Sequence, residues 1–402
     1  MRMIVIGGGV GGLVLGRALR DAGAEVLVAD RDSRAEDTGG YRLHLDATAC
    51  EILARRLPPA VYQALLASSA GPGSFQRFTF LDHRLRPLLR IPRPGDGDNL
   101  LISRIALRTL LCHGLDDVVA FGREFTHHTV HDGVVTAHFA DGTTETGDVL
   151  VGADGARSRT ASVLAGRPTA RRLRANGLAG RTPIGGDTVV PPELRVGPAF
   201  VFGPGGTIVF LSAHDPATAS VDAAACREVP PVVDRPFLLW GITTVRDLPL
   251  DARPDVHHEL ARYLLRDWSP VLRDLVAAAD PASVTAFPYY AADPETDLVP
   301  WPAGPVTALG DAVHAMPPTG GRGAITALRD ADLLAEELTR ALRGETTVPL
   351  AVHAYQQRMP EYAVDAVRES LQPLRWQLRL RNPAVFQLGR LALSAGSAVR
   401  RA

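Results

Sequence analysis

Cysteine is scarce: Cys50, Cys112 and Cys226 are the only three in 402 residues. They form no close pair and no metal-ligand spacing, so neither a disulfide framework nor a zinc module is expected, and a reducing compartment is favoured. Charge of one sign is also missing. Lys plus Arg number 43 and Asp plus Glu 44, a formal net charge of -1, which gives no global reason to bind nucleic acid. No run of 18 apolar residues occurs, so a membrane span is not expected. The opening MRMIVIGGGVGG is too short and too glycine-broken for a secretory apolar core. The expected setting is therefore the cytoplasm. Internal repeats are absent, and no Ser-His-Asp constellation or metal-ligand set can be read from the chain. What is present is an ordinary core-forming composition, 46% hydrophobic and 22% charged, with a mean hydropathy of +0.03. The length suits one large domain or two closely joined ones.

The amino terminus carries the densest signal. Met3 to Ile6 form an apolar strand seed that runs into Gly7-Gly8-Gly9, and Val10 to Ala22 has helical composition. A second short strand, Glu25 to Ala29, ends at Asp30. In this strand–turn–helix–strand order, Gly7-x-Gly9-x-x-Gly12 reads as a dinucleotide fingerprint rather than as a turn alone. Gly7 makes the tight turn, Gly9 lets a pyrophosphate approach the backbone, and Gly12 lets helix meet strand. Unpaired N–H groups at the helix start favour the diphosphate. Asp30 stands about 20 residues on, where a carboxylate accepts ribose hydroxyls, and Arg31 beside it can neutralise a phosphate. The fingerprint alone does not choose FAD over NAD.

Two later segments make that choice. Residues 149–159 read VLVGADGARSR, a strand opening into Asp154-Gly155. Residues 306–323 read VTALGDAVHAMPPTGGRG, a strand followed by Gly310-Asp311 and a glycine-rich turn. With the amino-terminal fingerprint, these resemble the single-component FAD-dependent aromatic hydroxylases, the para-hydroxybenzoate hydroxylase-like flavoprotein monooxygenases. The landmarks fall in order along nearly the whole chain and are weakest over 172–300. The resemblance implies that Asp311 bonds the ribityl chain of FAD and that Pro317 and Pro318 shape the turn beside the flavin. It implies that Gly321, Gly323 and Ala324 bring backbone and a helix start to the pyrimidine edge. Asp154 and Gly155 would lie between flavin and nicotinamide path, and Arg104, in ISRIALRTLL, near the phosphates or ribityl group. Read without the family, Asp311 suits a helix cap, Asp154 an ordinary Asp-Gly turn and Arg104 a solvent-facing helix. His314 reads as structural rather than as an acid–base group.

Three positions depart from the family. Ala161 stands where an arginine is usual, Ile325 where asparagine is common, and Thr38 near the place of another arginine. Arg42 is placed in sequence to compensate for the last. FAD binding is expected to survive these losses, while normal flavin reduction and oxygen activation are less secure.

The implied fold class is an α/β FAD-binding Rossmann-like domain with an interleaved α+β substrate domain. Residues 1–73, 104–171 and 303–370 would form the discontinuous FAD-binding domain and 74–103 with 172–302 the substrate domain. A C-terminal helical extension would cover 371–402, packed across the domains, with a membrane-surface role as the alternative. TFLDHRLRPLLRI reads as a hairpin, and Ala199 to Phe202, Thr207 to Ser212 and Pro236 to Ile242 as strands. Helices are expected over Asp255 to Leu265, Pro270 to Ala278, Ala324 to Leu342 and Leu350 to Arg368. In Ala324 to Leu342, Leu328, Ala331, Leu334, Ala335 and Leu338 form an apolar face.

By the resemblance, NADH or NADPH reduces bound FAD, and molecular oxygen then oxygenates a small, largely apolar substrate, aromatic or polyketide-like. Phe200, Phe202, Phe210, Trp240, Phe287, Tyr289 and Pro318 are the candidate substrate contacts, because aromatics clamp a planar ligand. Each aromatic also suits a core role. His214 can orient a phenolic oxygen but has no identified partner, so the catalytic set stays open. A non-oxygenating flavoenzyme and a nucleotide-binding scaffold are the competing readings. Nicotinamide choice and oligomeric state are not encoded in any feature found.

Overall fold

The computed structural model describes residues 1–39, 42–92, 99–185, 190–379 and 382. Its first layer is a five-stranded sheet in the order Val306–Ala308, Val149–Gly152, Arg2–Ile6, Glu25–Ala29, Val119–Ala120. All four pairings are parallel. Parallel strands are buried on both faces, and Met3, Ile4 and Val5, like Val149 to Val151, have no exposed surface. One face is covered by the helices Val10–Asp21 and Gly323–Leu342, packed on each other. Leu328, Ala331, Leu334, Ala335 and Leu338 are all buried there. The other face packs against Phe125, Val135 and Phe139 of a three-stranded antiparallel sheet spanning Phe125–His131, Val134–Phe139 and Thr144–Gly147.

A second large sheet has seven strands in the order Thr285–Ala291, Arg171–Pro183, Phe237–Thr244, Ile208–His214, Ala199–Phe202, Arg77–Asp82, Pro87–Pro92. The pairing is antiparallel except between Ala199–Phe202 and Arg77–Asp82. The expected hairpin, the three expected strands and the helices at 254–264, 270–277 and 323–342 are present within one or two residues at most boundaries. Helices Pro254–Leu264 and Pro270–Ala277 cover one face of this sheet over Leu178, Trp240 and Ile242. The opposite face is free to build a chamber.

One expected helix is two. The stretch expected as a single helix from Leu350 to Arg368 is Val348–Arg358 followed by Pro360–Arg379. Pro360 has no N–H to donate backward and its ring crowds the preceding turn, so it closes the first helix and opens the next at its favoured first position. The second helix runs through the 370/371 boundary expected for the C-terminal extension. Of that extension only the helix end and Asn382 are described, and the remaining residues lie outside the described set. No described helix is long and apolar enough to cross a membrane.

Candidate active site

The strand Arg2–Ile6 ends at Gly7, whose φ of +111° is open only to glycine, and whose added Cβ would stand 2.2 Å from the Ala153 carbonyl oxygen. A Cβ on Gly12 would stand 2.0 Å from the Gly7 carbonyl oxygen, so Gly12 is what lets helix and turn close. Gly9 differs: a Cβ there would meet nothing within 4 Å. The protein itself leaves that space open. Gly9 caps the helix Val10–Asp21 without a side-chain bond, and no acidic residue occupies the first turn. The helix start therefore presents unpaired N–H groups to a cavity, which is where a diphosphate fits.

Asp30 sits at the end of its strand, as expected, and is almost fully buried, at 9% exposure. Its carboxylate accepts from the N–H of Gly8 at 2.5 Å and of Asp32 at 2.8 Å, and it pairs with Arg108 at 3.0 Å. Arg108 also donates to the Gly8 carbonyl oxygen and meets Asp32. Sequence reasoning missed Arg108, although it lies one helical turn after Arg104 on the same face. Arg31 is exposed at the cavity wall.

A continuous cavity of about 1710 Å³ begins at Gly7, Gly9 and Asp30 and reaches the seven-stranded sheet. It exceeds the roughly 300–1,000 Å³ of a site for one small molecule, leaving room for an extended dinucleotide and a second ligand. Arg104, Asp154, Gly155, Arg42, Thr38, Pro318 and Gly321 also line it. Burial holds the Arg104 guanidinium below its ordinary pKa, with the charge of Asp311 opposing that shift. The Asp154 carboxylate is spent locally. It accepts from Ser158 Oγ at 2.5 Å and from the Arg159 N–H at 2.8 Å, which secures the start of the helix Arg159–Ala165. Burial still pushes its pKa up, against the Ser158 bond.

The third landmark is divided: Pro318 to Arg322 lie on the cavity wall, while Gly310, Asp311, Gly323 and Ala324 stand just behind it. Gly310 turns the chain with a φ of +64°, and Asp311 opens a short helix to His314 with its side chain exposed. Enclosure by the surrounding protein raises the Asp311 pKa, with His314 and Arg104 opposing. Behind it, the buried Asp330 accepts from the Gly310 N–H at 2.7 Å, His314 Nε2 at 2.6 Å and the Tyr362 hydroxyl at 2.7 Å. His314 has no exposed surface. Its burial alone would depress the imidazole, but Asp330 raises it overall. It serves the turn, as the sequence suggested. Pro317 is buried, while Gly323 and Ala324 are half-buried at the start of the long helix. A Cβ on Gly323 would come within 3.7 Å of Asp311 Oδ1, so the two ends of this motif face each other.

At the far end, Phe200, Phe202, Phe210, Phe287, Tyr289 and Pro318 all line the cavity. Phe78 and Phe80, which sequence reasoning did not single out, join Phe200 in a cross-strand ladder with ring centroids 5.9 and 6.0 Å from it. The Tyr289 hydroxyl lies 2.9 Å from Thr243 Oγ1, and burial pushes its pKa up to about 12. Trp376, 61% exposed on the last helix, adds an aromatic surface at the cavity. Trp240 does not belong to this wall. Leu239, Gly241 and Thr243 face the cavity, and strand alternation turns Trp240 to the other side. There it is fully buried and donates to Thr182 Oγ1 at 3.2 Å. His214 is corrected likewise. It is fully buried against Phe237, with ring centroids 4.9 Å apart, and does not reach the cavity. Burial, then the charges of Arg42 and Arg181, push its pKa down to about 3, so it is a neutral interior residue.

Two of the three departures from the family pattern are apolar and interior, Ala161 with no exposed surface and Ile325 with only 1%, whereas Thr38 is half-buried on the cavity wall. Among the described residues, no cluster of three metal-ligating side chains occurs.

Comparison with known proteins agrees with this geometry. Residues 290–370, which hold the Gly310–Ala324 landmark, match the FAD binding domain family. The chain is 29% identical over 377 residues to the dual O-methyltransferase/FAD-dependent monooxygenase CTB3 of Cercospora beticola, covering 84% of this chain. It spans only 42% of that relative's length. A solved structure described as a candidate FAD-containing monooxygenase of Photorhabdus luminescens is 26% identical, with a TM-score of 0.76 over 94% of this chain and 98% of that one. Klebsiella pneumoniae HpxO, solved with FAD and uric acid, shares the fold at a TM-score of 0.78 and 21% identity, over 100% of this chain and 94% of its own. The chain is thus closely related to the para-hydroxybenzoate hydroxylase-like flavoprotein monooxygenase superfamily and has its Rossmann-like FAD-binding architecture.

Proposed function

We propose that this chain is an enzyme, an FAD-dependent monooxygenase that uses NADH or NADPH and molecular oxygen to oxygenate a small aromatic or polyketide-like molecule. The observation that carries the reading is the single cavity joining the open Gly9 turn to the aromatic face of the seven-stranded sheet. Residues 1–73, 104–171 and 303–370 are assigned to cofactor binding, and 74–103 with 172–302 to the substrate. The residues present fit FAD. The uncapped helix start at Gly9 would receive the diphosphate. Asp30, steadied by Arg108, would hold the adenosine ribose and Asp311 the ribityl chain, with Arg31 and Arg104 near the phosphates. Gly321 and the helix start at Gly323 and Ala324 would place N–H dipoles by the pyrimidine edge, where they favour negative charge. Once reduced and exposed to oxygen, FAD supplies the oxygen-transfer chemistry. The protein's own work is to bind, orient and keep water out: the phenylalanine ladder, Phe287 and Tyr289 form a dry planar wall for the substrate.

Purified protein should be yellow, and NADH or NADPH should bleach it anaerobically. Oxygen admitted with substrate should then place one atom of labelled oxygen in the product. A colourless protein that takes up no FAD on refolding ends the flavin reading. Product formed while the flavin stays oxidised ends oxygenation but not flavin binding. The buried Ala161 and Ile325 favour a second reading, a flavoenzyme that performs a non-oxygenating transformation.

A further inference from the structure

Arg42 opens the strand Arg42–Leu45 beside the nucleotide layer, yet its guanidinium reaches across to the substrate-side sheet. One terminal nitrogen donates to Ser212 Oγ at 2.6 Å and to the Ala213 carbonyl oxygen. Nε and the other terminal nitrogen are buried, with no hydrogen-bond partner among the described residues. Among the described residues, no carboxylate pairs with it. Burial alone lowers its pKa to about 9, and its positive charge is felt by His214. A buried cation without a counter-charge is costly, and rule-breaking groups of this kind concentrate at functional sites. Arg42 and Ser212 both line the cavity.

A second unsatisfied group stands at the other end of the same strip. Gln377, 1% exposed, donates its amide nitrogen to the Gly206 carbonyl at 2.5 Å and the Thr243 carbonyl at 2.8 Å. Reversing the amide would set oxygen against two carbonyl oxygens, so its orientation is fixed. Its Oε1 is buried, with no donor among the described residues. Ser212 pairs with Leu239, and Ile208 with Thr243. The rows that hold Arg42 and Gln377 are thus four residues apart on both strands, about 13 Å at strand rise. Between them the sheet offers Phe210 and Gly241 to the cavity.

We propose that the chamber selects an elongated planar organic anion, its acidic oxygen paired with Arg42 and an O–H or N–H donor at its opposite end meeting Oε1 of Gln377. The proposal rests on the oxygenase reading in taking that ligand as the substrate, and it removes Arg42 from the cofactor set. Calorimetric titration of the FAD-loaded protein tests it with three probes: 6-hydroxy-2-naphthoate, 2-naphthoate and 6-hydroxy-2-naphthamide. The hydroxynaphthoate should bind at least tenfold more tightly than the neutral amide, since hydrogen bonds to charged groups are the strong ones, and about threefold more tightly than 2-naphthoate. Arg42→Gln should erase the preference for the acid, Arg42→Lys should keep part of it, and Gln377→Met should erase the preference for the hydroxyl. Flavin content should stay unchanged in all three. Equal binding of acid and amide by the unaltered protein overturns the proposal, whether or not a variant folds. So do a total lack of saturable binding, a charge preference that survives Arg42→Gln, and loss of flavin from that variant. Because these are binding measurements, failure of nicotinamide reduction or oxygen transfer would strike the oxygenase reading alone.

Discussion

Replacing Arg108 with methionine takes away the cation that ties Asp30 and Asp32 to the glycine turn. The Arg108 side chain is 3% exposed and that of Asp30 11%, at 3.0 Å, so the pair is interior. Removing one member of such a pair costs about 3–5 kcal/mol, because the other charge is left buried and uncompensated. Asp30 keeps two backbone donors, Gly8 and Asp32, which places the loss near the low end, about 3 kcal/mol. The arm to Asp32 adds less than about 1 kcal/mol, since that carboxylate is 28% exposed. Asp30→Asn removes the charge that Arg108 answers, so in that background Arg108→Met should cost only about 1 kcal/mol. Urea unfolding of the four proteins of this cycle, without added flavin, measures the coupling. Fluorescence titration with FAD should show at least a tenfold weaker affinity for Arg108→Met, because Asp30, the carboxylate proposed for the ribose, is then no longer held. An equal cost of the methionine in both backgrounds, or unaltered FAD affinity, would refute the role given to Arg108.

Asp311→Ala should lower FAD occupancy sharply while sparing the fold, because the carboxylate is exposed; unchanged affinity by the same titration refutes its assignment. Asp330→Asn should destabilise by about 3 kcal/mol, since an amide N–H₂ would then face one of its donors and weaken charge-assisted bonds; thermal unfolding checks it. His214 makes stability fall in acid. Its folded pKa of about 3 lies below the ordinary 6.5, so the unfolded chain takes up a proton that the folded one refuses as pH drops below about 6.5. The loss is about 1.4 kcal/mol per pH unit, or about 2 kcal/mol at pH 5. His214→Leu, which also removes two ring nitrogens that have no partner among the described residues, should flatten the difference in urea stability between pH 7 and pH 5, and an unaltered slope contradicts the account.

The parts of this molecule legible in the sequence are those where backbone conformation dictates residue type. Gly7, Gly12 and Gly310 could be placed because a positive φ or a close carbonyl admits nothing else. The buried parallel strands could be placed because a short, continuous apolar run suits a strand covered on both faces. The strand Arg171–Pro183 was not legible. RRLRANGLAGRTP has little strand propensity, and its glycines have a tertiary cause: Cβ atoms at Gly177 and Gly180 would collide with Phe287 and Trp240 at 2.3 and 2.5 Å. Helix 360–379 merged with its predecessor in the sequence because apolar periodicity continues through Pro360, whose effect on the hydrogen-bond ladder is local. Side-chain direction failed for a different reason. Trp240 and the cavity-lining Leu239 are adjacent on one strand, so a single residue of register decides which meets a ligand, and no composition signal fixes that parity. Arg42, Arg108 and Gln377 show the same limit from the other side. Each draws its meaning from a partner, or the lack of one, at least 70 residues away in the chain, so only the folded arrangement separates a surface arginine from an unanswered buried charge.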